Sequence, residues 1–448
     1  MSKLTNDMSV NKPLGLIIKF AIPLMLGNLF QQGYLIIDSI IVGRSIGSNA
    51  LAAIGAIDWL NWMFVGIITG LTSGFGISFS KAFGSKNINK LKNKVINSII
   101  ISIIFGIMLV IISQIFALPL LKLLNTPIEI IYISLEYVRY IFFGLFIVML
   151  YNLSASLLRA VGNSKAPLIS LVISSCINIL LDIFFIIILK LGIKGAAIAT
   201  IISQSFSLLY CILVLRKIEE LKFNKEDFKI DKNISIKLLK IALPLSIMNL
   251  SIGIGGISVQ SVVNTFGLVF VTGITITNKL YYLFEIAGNT LGLSVATFVA
   301  QNHGAKLNNR VFEGFKSTLI FSNIISLFIS IFMIIFGKDI IRLFIDSNAS
   351  NLNEIVSVAY DYLFIMMIFL NVLYSIHIVR STLQGLGNTI VPLYASILEL
   401  IVRIAFIFTL PKLLSTSGVY YTEIAAWIAS LSFLSYGLYN SFKLLKLE

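Results

Sequence analysis

Apolar stretches of about twenty residues or more succeed one another along the chain, broken by short segments rich in lysine, glycine and asparagine. A bilayer core of about 30 Å takes roughly 20 mostly apolar residues per helix. The stretches divide accordingly into Leu14–Gly43, Leu51–Phe79, Val95–Leu118, Ile128–Leu150, Pro167–Leu189 and Gly195–Leu215, then Leu238–Asn264, Val269–Ala300, Ser317–Phe336, Ile355–Thr382, Val391–Leu410 and Tyr421–Phe442. This pattern predicts an all-α integral membrane protein with twelve transmembrane helices. Several segments exceed the minimum, so tilt or extension beyond the hydrocarbon is expected. Lys3, Lys12 and Lys19 precede the first run as in a signal sequence, but that run continues past Ile41 without an A-x-A-like site, and a retained first span is expected.

Composition agrees with the pattern: of 448 residues, 57% are hydrophobic and only 12% charged, which no soluble domain could present to water. Twelve spans leave short loops and no room for a separate soluble domain. A net charge of +14 would suggest nucleic acid in a soluble protein, but here the lysines sit between apolar runs and set orientation instead. Lys81, Lys86, Lys90, Lys92 and Lys94, then Arg159 and Lys165, then Arg216 to Lys240, then Lys306, Arg310 and Lys316 all fall on one side of the membrane. By the positive-inside rule this side, with both termini, is cytoplasmic, in a bacterial-type plasma membrane. Trp59 and Trp62 fit an interfacial belt, and Cys176 and Cys211, inside apolar segments, read as reduced packing residues.

The second half of the chain repeats the first. Ala21-Ile22-Pro23-Leu24 with Asn28-Leu29 is echoed by Ala242-Leu243-Pro244-Leu245 with Asn249-Leu250, and Gly84-Ser85-Lys86 by Gly304-Ala305-Lys306. Gly162-Asn163 followed by Pro167-Leu168 returns as Gly387-Asn388 followed by Pro392-Leu393. The order of these pairs predicts two six-helix bundles, 1–215 and 238–448, joined by a cytoplasmic connector over 216–237 where charges of both signs mix. Six crossings return the chain to its starting side, so the halves share one orientation and a pseudo-two-fold axis along the membrane normal. In transporters built this way the substrate site lies between the halves, and rocking exposes it to each side in turn.

Carboxylates at mid-span are costly, and those that persist mark functional sites. Asp38 lies well inside the first span. Asn178 and Asp182 are four apart in the fifth, which places amide and carboxylate on one helical face. Such a set can hold a dehydrated Na+ ion or carry a proton. Glu399 and Arg403, also four apart, read as a self-neutralising pair for stability or gating. Glu285 is either a substrate-contacting anion or the partner of Lys279, and Gln260 reads as a hydrogen-bonding helix contact. Shifted by the repeat, neither Asp38 nor Asp182 is reproduced, so ion coupling is expected in the N-terminal half. Phosphate-cradling and metal-ligand motifs are absent, His303 and His377 read as loop or packing residues, and Asp58, Glu136, Arg139, Asp361 and Arg380 fall near span ends.

With these residues located, the chain resembles the multidrug and toxic compound extrusion (MATE) family. The resemblance is carried by Ala21-Ile22-Pro23 and Asp38, by Leu158-Arg159-Ala160-Val161-Gly162-Asn163 with Pro167, and by Asn178 with Asp182. Gly192-Ile193-Lys194-Gly195-Ala196-Ala197-Ile198-Ala199-Thr200, Gln301-Asn302-His303-Gly304-Ala305 and Leu383-Gln384-Gly385-Leu386-Gly387-Asn388 extend it along nearly the whole chain. It implies two six-helix bundles facing each other and efflux of cationic, amphipathic compounds in exchange for Na+ or H+, with no cofactor and no enzymatic activity. The family's coupling site maps onto Asp38, Asn178, Asp182 and Thr200, with any Na+ held by the first three. Gln31, Gln32 and Tyr34, with Gln260, Glu285, Glu399 and Arg403, form a second set, for substrate or gating; Gln260 stands where some members place an acid. A monomer handling small cationic molecules is expected. A flippase of lipid-linked sugars from the same superfamily is the rival reading, but it calls for a positively lined cavity, whereas the mid-span set here is mainly acidic.

Overall fold

The computed structural model describes residues 4–124, 126–224, 227–345 and 351–446; Lys3, Glu226 and the Trp59 side chain lie outside what is described. Thirteen α-helices account for nearly all of it: α1 (Pro13–Ser45), α2 (Ser48–Gly84), α3 (Ile88–Leu123), α4 (Ile128–Ala160), α5 (Lys165–Asp182), α6 (Ile193–Leu215), α7 (Lys232–Val263), α8 (Leu268–Gly304), α9 (Asn308–Arg342), α10 (Leu352–Ile368), α11 (Leu370–Leu386), α12 (Ile390–Leu414) and α13 (Ser417–Leu445). A π-helical turn, Ile183–Ile188, continues α5. Ten of these helices, α1 to α9 and α12, are long and apolar enough to cross a bilayer. α10 and α11 meet at a bend of 49° and together have the length and apolar composition of one span. α13, at 29 residues, is long enough to cross a bilayer but is not among these ten.

The apolar run Ile355–Thr382 gives no sign of this bend. Asn371 sits just beyond it, and its Oδ1 accepts the Val372 N–H at 2.9 Å, so a side chain competes with the helical ladder where the two helices part. The motifs that repeat turn out to be helix punctuation. Gly162 ends α4 at φ 82° and Gly387 ends α11 at φ 89°, a left-handed conformation natural to glycine. The asparagine after each then caps the next helix: Asn163 Oδ1 accepts the Ala166 N–H at 3.0 Å, and Asn388 Oδ1 the Val391 N–H at 3.3 Å.

Contacts divide the chain into two compact units, Met1–Val10 with Ile22–Asn249 and Asn11–Ala21 with Leu250–Glu448. The change of unit thus falls within α7. The reason is a close backbone crossing inside the first unit: a Cβ on Gly70 would come within 2.5 Å of the Ser246 backbone, and one on Gly74 within 2.4 Å of Ala242 Cα. Ser246 Oγ donates to the Ile67 carbonyl and Asn249 Nδ2 to the Gly66 carbonyl, each at 2.9 Å, which fastens the first half of α7 to α2. The connector is tied to α3, where Asp227 pairs with Lys92 at 3.2 Å. The Asn224 N–H and the Lys92 ammonium hold the half-buried Asp227 carboxyl below its usual range.

The first unit is built on a core of Ile68, Leu71, Phe75, Phe79 and Phe142. The second packs Leu363, Met366, Leu370 and Tyr374 around the α10–α11 bend. In the second unit, Arg310 reaches back to the Asn11 carbonyl at 2.7 Å, and Ala21 packs with Leu291 and Ile378, so the first turns of α1 belong there.

Candidate functional site

On α1, Gln31, Tyr34 and Asp38 follow at helical spacing on one face; Tyr34 pairs with Gln31, whereas Gln32 lies off that face and is exposed. Asn178 and Asp182 occupy the last two turns of α5, immediately before the π-helical turn. Single wide turns of this kind often interrupt helices at functional positions. Both helices belong to the first unit. They bring together the three residues that the sequence singles out: Asp38 is 7% exposed, Asn178 1% and Asp182 0%, and the two carboxyl groups act directly on each other.

None of the three is satisfied by protein. Asp38 Oδ1, both amide atoms of Asn178 and both carboxylate oxygens of Asp182 are buried without a hydrogen-bond partner. More than nine in ten buried polar groups in folded proteins are paired, and a buried carboxylate without a counter-charge costs several kcal/mol. Five such atoms fall on these three residues of α1 and α5. Oxygen-rich, two-carboxylate surroundings suit a small hard cation or a shared proton. Among the described residues, no three or more His, Cys, Asp or Glu side chains gather as a metal cluster.

Two phenols face the same carboxylates, Tyr34 from α1 and Tyr137 from α4. Tyr137 is 6% exposed and is the member that sequence reasoning misses; it stands between Glu136 and Arg139 in the first third of α4, where nothing in the sequence marks it out. Thr200 on α6 donates its hydroxyl proton to the Ala196 carbonyl at 3.0 Å, which leaves only a lone pair to offer a ligand. A cleft of about 410 Å³ opens beside this group, lined by Leu26, Phe30, Tyr34 and Ile37 of α1 and by Val172 and Cys176 of α5. Cys176 is exposed in it and is not the packing residue expected; Cys211, fully buried, is.

The second unit holds a different arrangement. Glu399 and Arg403 do meet on α12 at 3.1 Å, but they are only the middle of a chain of charges. Arg380 of α11 also reaches Glu399 at 3.1 Å, and Arg403 also reaches Glu423 of α13 at 2.8 Å. Arg380, which the sequence places near a span end where snorkelling or gate pairing is expected, is a buried and paired residue of α11. Glu285 of α8 does not pair with Lys279, which is exposed; it lies 3.7 Å from Nε2 of His377, beyond hydrogen-bond reach. Gln260 donates to Asn264 Oδ1 at 2.7 Å, a contact within its own helix end. Glu136 and Lys194 form an ion pair of 2.8 Å between α4 and α6.

The unit that holds the orphaned carboxylates and the unit that holds the neutralised network each match the same family. The MatE profile matches twice, over residues 23–184 and 244–409. The chain is 30% identical over 432 residues to "Probable multidrug resistance protein YoeA" of Bacillus subtilis (strain 168), covering 94% of this chain and 92% of the relative. It is 26% identical over 339 residues to "Probable multidrug resistance protein YpnP" of the same organism, covering 76% of each. Among solved structures, "MATE in the bent conformation" superimposes with a TM-score of 0.91 at 22% identity, covering 100% of this chain and 99% of the other. An outward-facing multidrug resistance MATE family transporter gives 0.90 at 22% identity, covering 100% of both. With its succession of apolar spans, its repeated halves and a match along 94% of its length, the protein belongs to the MatE family of multidrug and toxic compound extrusion transporters.

Proposed function

We propose that this protein exports cationic, amphipathic organic compounds in exchange for Na+ or H+ by alternating access, with the coupling ion at Asp38, Asn178 and Asp182. The observation that carries the proposal is the set of five buried, unpartnered polar atoms at those residues. A Na+ ion would take oxygens from both carboxylates and from the Asn178 amide, with Thr200 as a further oxygen donor; a proton would be shared by the two carboxylates. Either one removes the cost of buried, uncompensated negative charge, and its departure restores that cost. Occupancy by the ion and by an organic cation therefore compete through the same two charges, which is the linkage that exchange requires. The neighbouring apolar cleft, with Gln31, Gln32 and Tyr34 at hand, suits the body of an amphipathic cation.

In this reading the second unit's Glu399 and Arg403 belong to a fixed framework, and Glu285 is its least committed acid. The guanidinium groups of Arg380 and Arg403 are matched by Glu399 and Glu423, so this cluster does not offer the net positive surface that a flippase of pyrophosphate-linked lipids needs. The names of the relatives, multidrug resistance and multidrug export proteins, support the same substrate class. The chain acts as a monomer of two lobes, 1–215 and 238–448, joined by the 216–237 connector. It sits in the cytoplasmic membrane with both termini inside the cell.

The test is efflux of a fluorescent organic cation from proteoliposomes, driven by a Na+ gradient and by a pH gradient in separate runs. One gradient is expected to drive transport in the wild type, and Asp38→Asn and Asp182→Asn each to lower the driven rate at least about tenfold, the loss of roughly 1.4 kcal/mol of coupling. Wild-type rates in both variants, with the protein folded and inserted, would show that coupling resides elsewhere.

A further inference from the structure

Asp58 lies about 15 Å along α2 from Ser48, inside a helix long and apolar enough to cross a bilayer. It is exposed, and it makes no ion pair among the described residues. A carboxylate kept in a membrane span without a counter-charge is costly and marks a place that deals with cations. Glu136, on the neighbouring stretch of α4, is already matched by Lys194 at 2.8 Å and offers no such charge.

The packing of α2 on α4 sets where this acid stands. Ser134 Oγ donates to the Ala53 carbonyl at 3.3 Å, and further along the rings of Phe64 and Phe142 meet edge-on with centroids 4.9 Å apart. The two helices therefore run side by side in the same direction. Asp58, five residues beyond Ala53, comes within about 3 Å of the height of Tyr137, three residues beyond Ser134. Tyr137 is 6% exposed, and the carboxylates that act on its phenol are Asp38, Asp58 and Asp182, whereas those that act on Tyr34 are Asp38 and Asp182 alone. Tyr137 thus joins an exposed acid to two buried ones. Asp38 and Asp182, at 7% and 0% exposure, need such a connection to be reached from water.

We propose that Asp58 is the first stop of the coupling cation, which passes from it by way of Tyr137 to Asp38 and Asp182. This rests on the coupling site placed at those two carboxylates. The charge of Asp58 draws a small hard cation to the start of the route, and the Tyr137 oxygen carries it across. A Na+ ion exchanges one oxygen ligand for the next. A proton requires no net change at the phenol, which gives its own proton inward as it accepts one from Asp58. All four residues belong to the first unit, so the route is complete within it.

The experiment follows cation uptake by the purified full-length protein after a jump in Na+ and, separately, a jump in pH. Bound radioactive Na+ and protons taken from an indicator dye are each read over time and at equilibrium, so that the jump that fills wild type identifies the cation. Asp58→Asn and Tyr137→Phe are each expected to reach wild-type occupancy about tenfold more slowly, and Asp58→Glu to stay within about twofold of the wild-type rate. Wild-type rates in Asp58→Asn or in Tyr137→Phe overturn the proposal. A lower final occupancy in Asp58→Asn overturns it too, because that residue would then be a ligand of the resting ion. Asp182→Asn keeps the two readings apart: filling to the wild-type level there removes the coupling site itself, and this proposal with it, whatever the rates in the other variants.

Discussion

Glu399→Gln isolates what the buried charge network of the second unit contributes. The wild-type carboxylate receives Arg380 and Arg403, each at 3.1 Å. Glutamine keeps the volume and one acceptor oxygen but removes the charge. Arg403 still has Glu423 at 2.8 Å, whereas Arg380 loses its one ion pair among the described residues. Leaving one buried cation unmatched costs about 3–5 kcal/mol. For a cooperative unit of about 200 residues, each kcal/mol moves Tm by roughly 2–4 °C, so the expected fall is on the order of 10 °C. The assay is thermal unfolding in detergent, followed by size-exclusion or by tryptophan fluorescence. Adding Arg380→Met to the variant removes the unmatched cation, and most of the lost stability is expected to return, because a buried pair replaced by apolar groups is close to neutral. A single variant that melts within about 1 °C of wild type, or a double variant no better than the single, refutes the reasoning.

Two further variants probe other links. Asn178→Leu replaces an amide whose donor and acceptor are both orphaned, and each such group costs about 1–3 kcal/mol; the variant is expected to melt higher than wild type while losing ion-driven efflux, and a lower Tm contradicts this. Gly74→Val puts a side chain where even a Cβ lies 2.4 Å from Ala242 Cα, so α2 and α7 must part; about 1–3 kcal/mol or more of stability is expected to go, read by the same melting assay, with Gly55→Val, which meets nothing within 4 Å, as the benign control.

Much of this is legible in the sequence because a bilayer makes polarity conspicuous. Asp38, Asn178 and Asp182 stand out as polar residues inside apolar runs, and the four-residue spacing of the latter two is enough to set their common face. The Gly-Asn repeat is visible as a repeat, although its meaning, a left-handed helix end followed by a cap, needs backbone angles. The charge network shows only its local part. Glu399 and Arg403 are one helical turn apart and announce themselves, but Arg380 and Glu423 reach them from other helices, and no spacing rule links residues across a packed bundle. Tyr137 escapes notice because a tyrosine, unlike a carboxylate, passes for an apolar residue until its neighbours are known.

The most direct test of the central claim is the cation inventory of the purified protein: Na+ bound at equilibrium, together with protons taken up when Na+ is withheld, in wild type and in Asp182→Asn. Wild type is expected to hold one such cation that the variant cannot hold. If Asp182→Asn binds Na+ and takes up protons as wild type does, the orphaned oxygens of α1 and α5 are not where the transporter carries its ion.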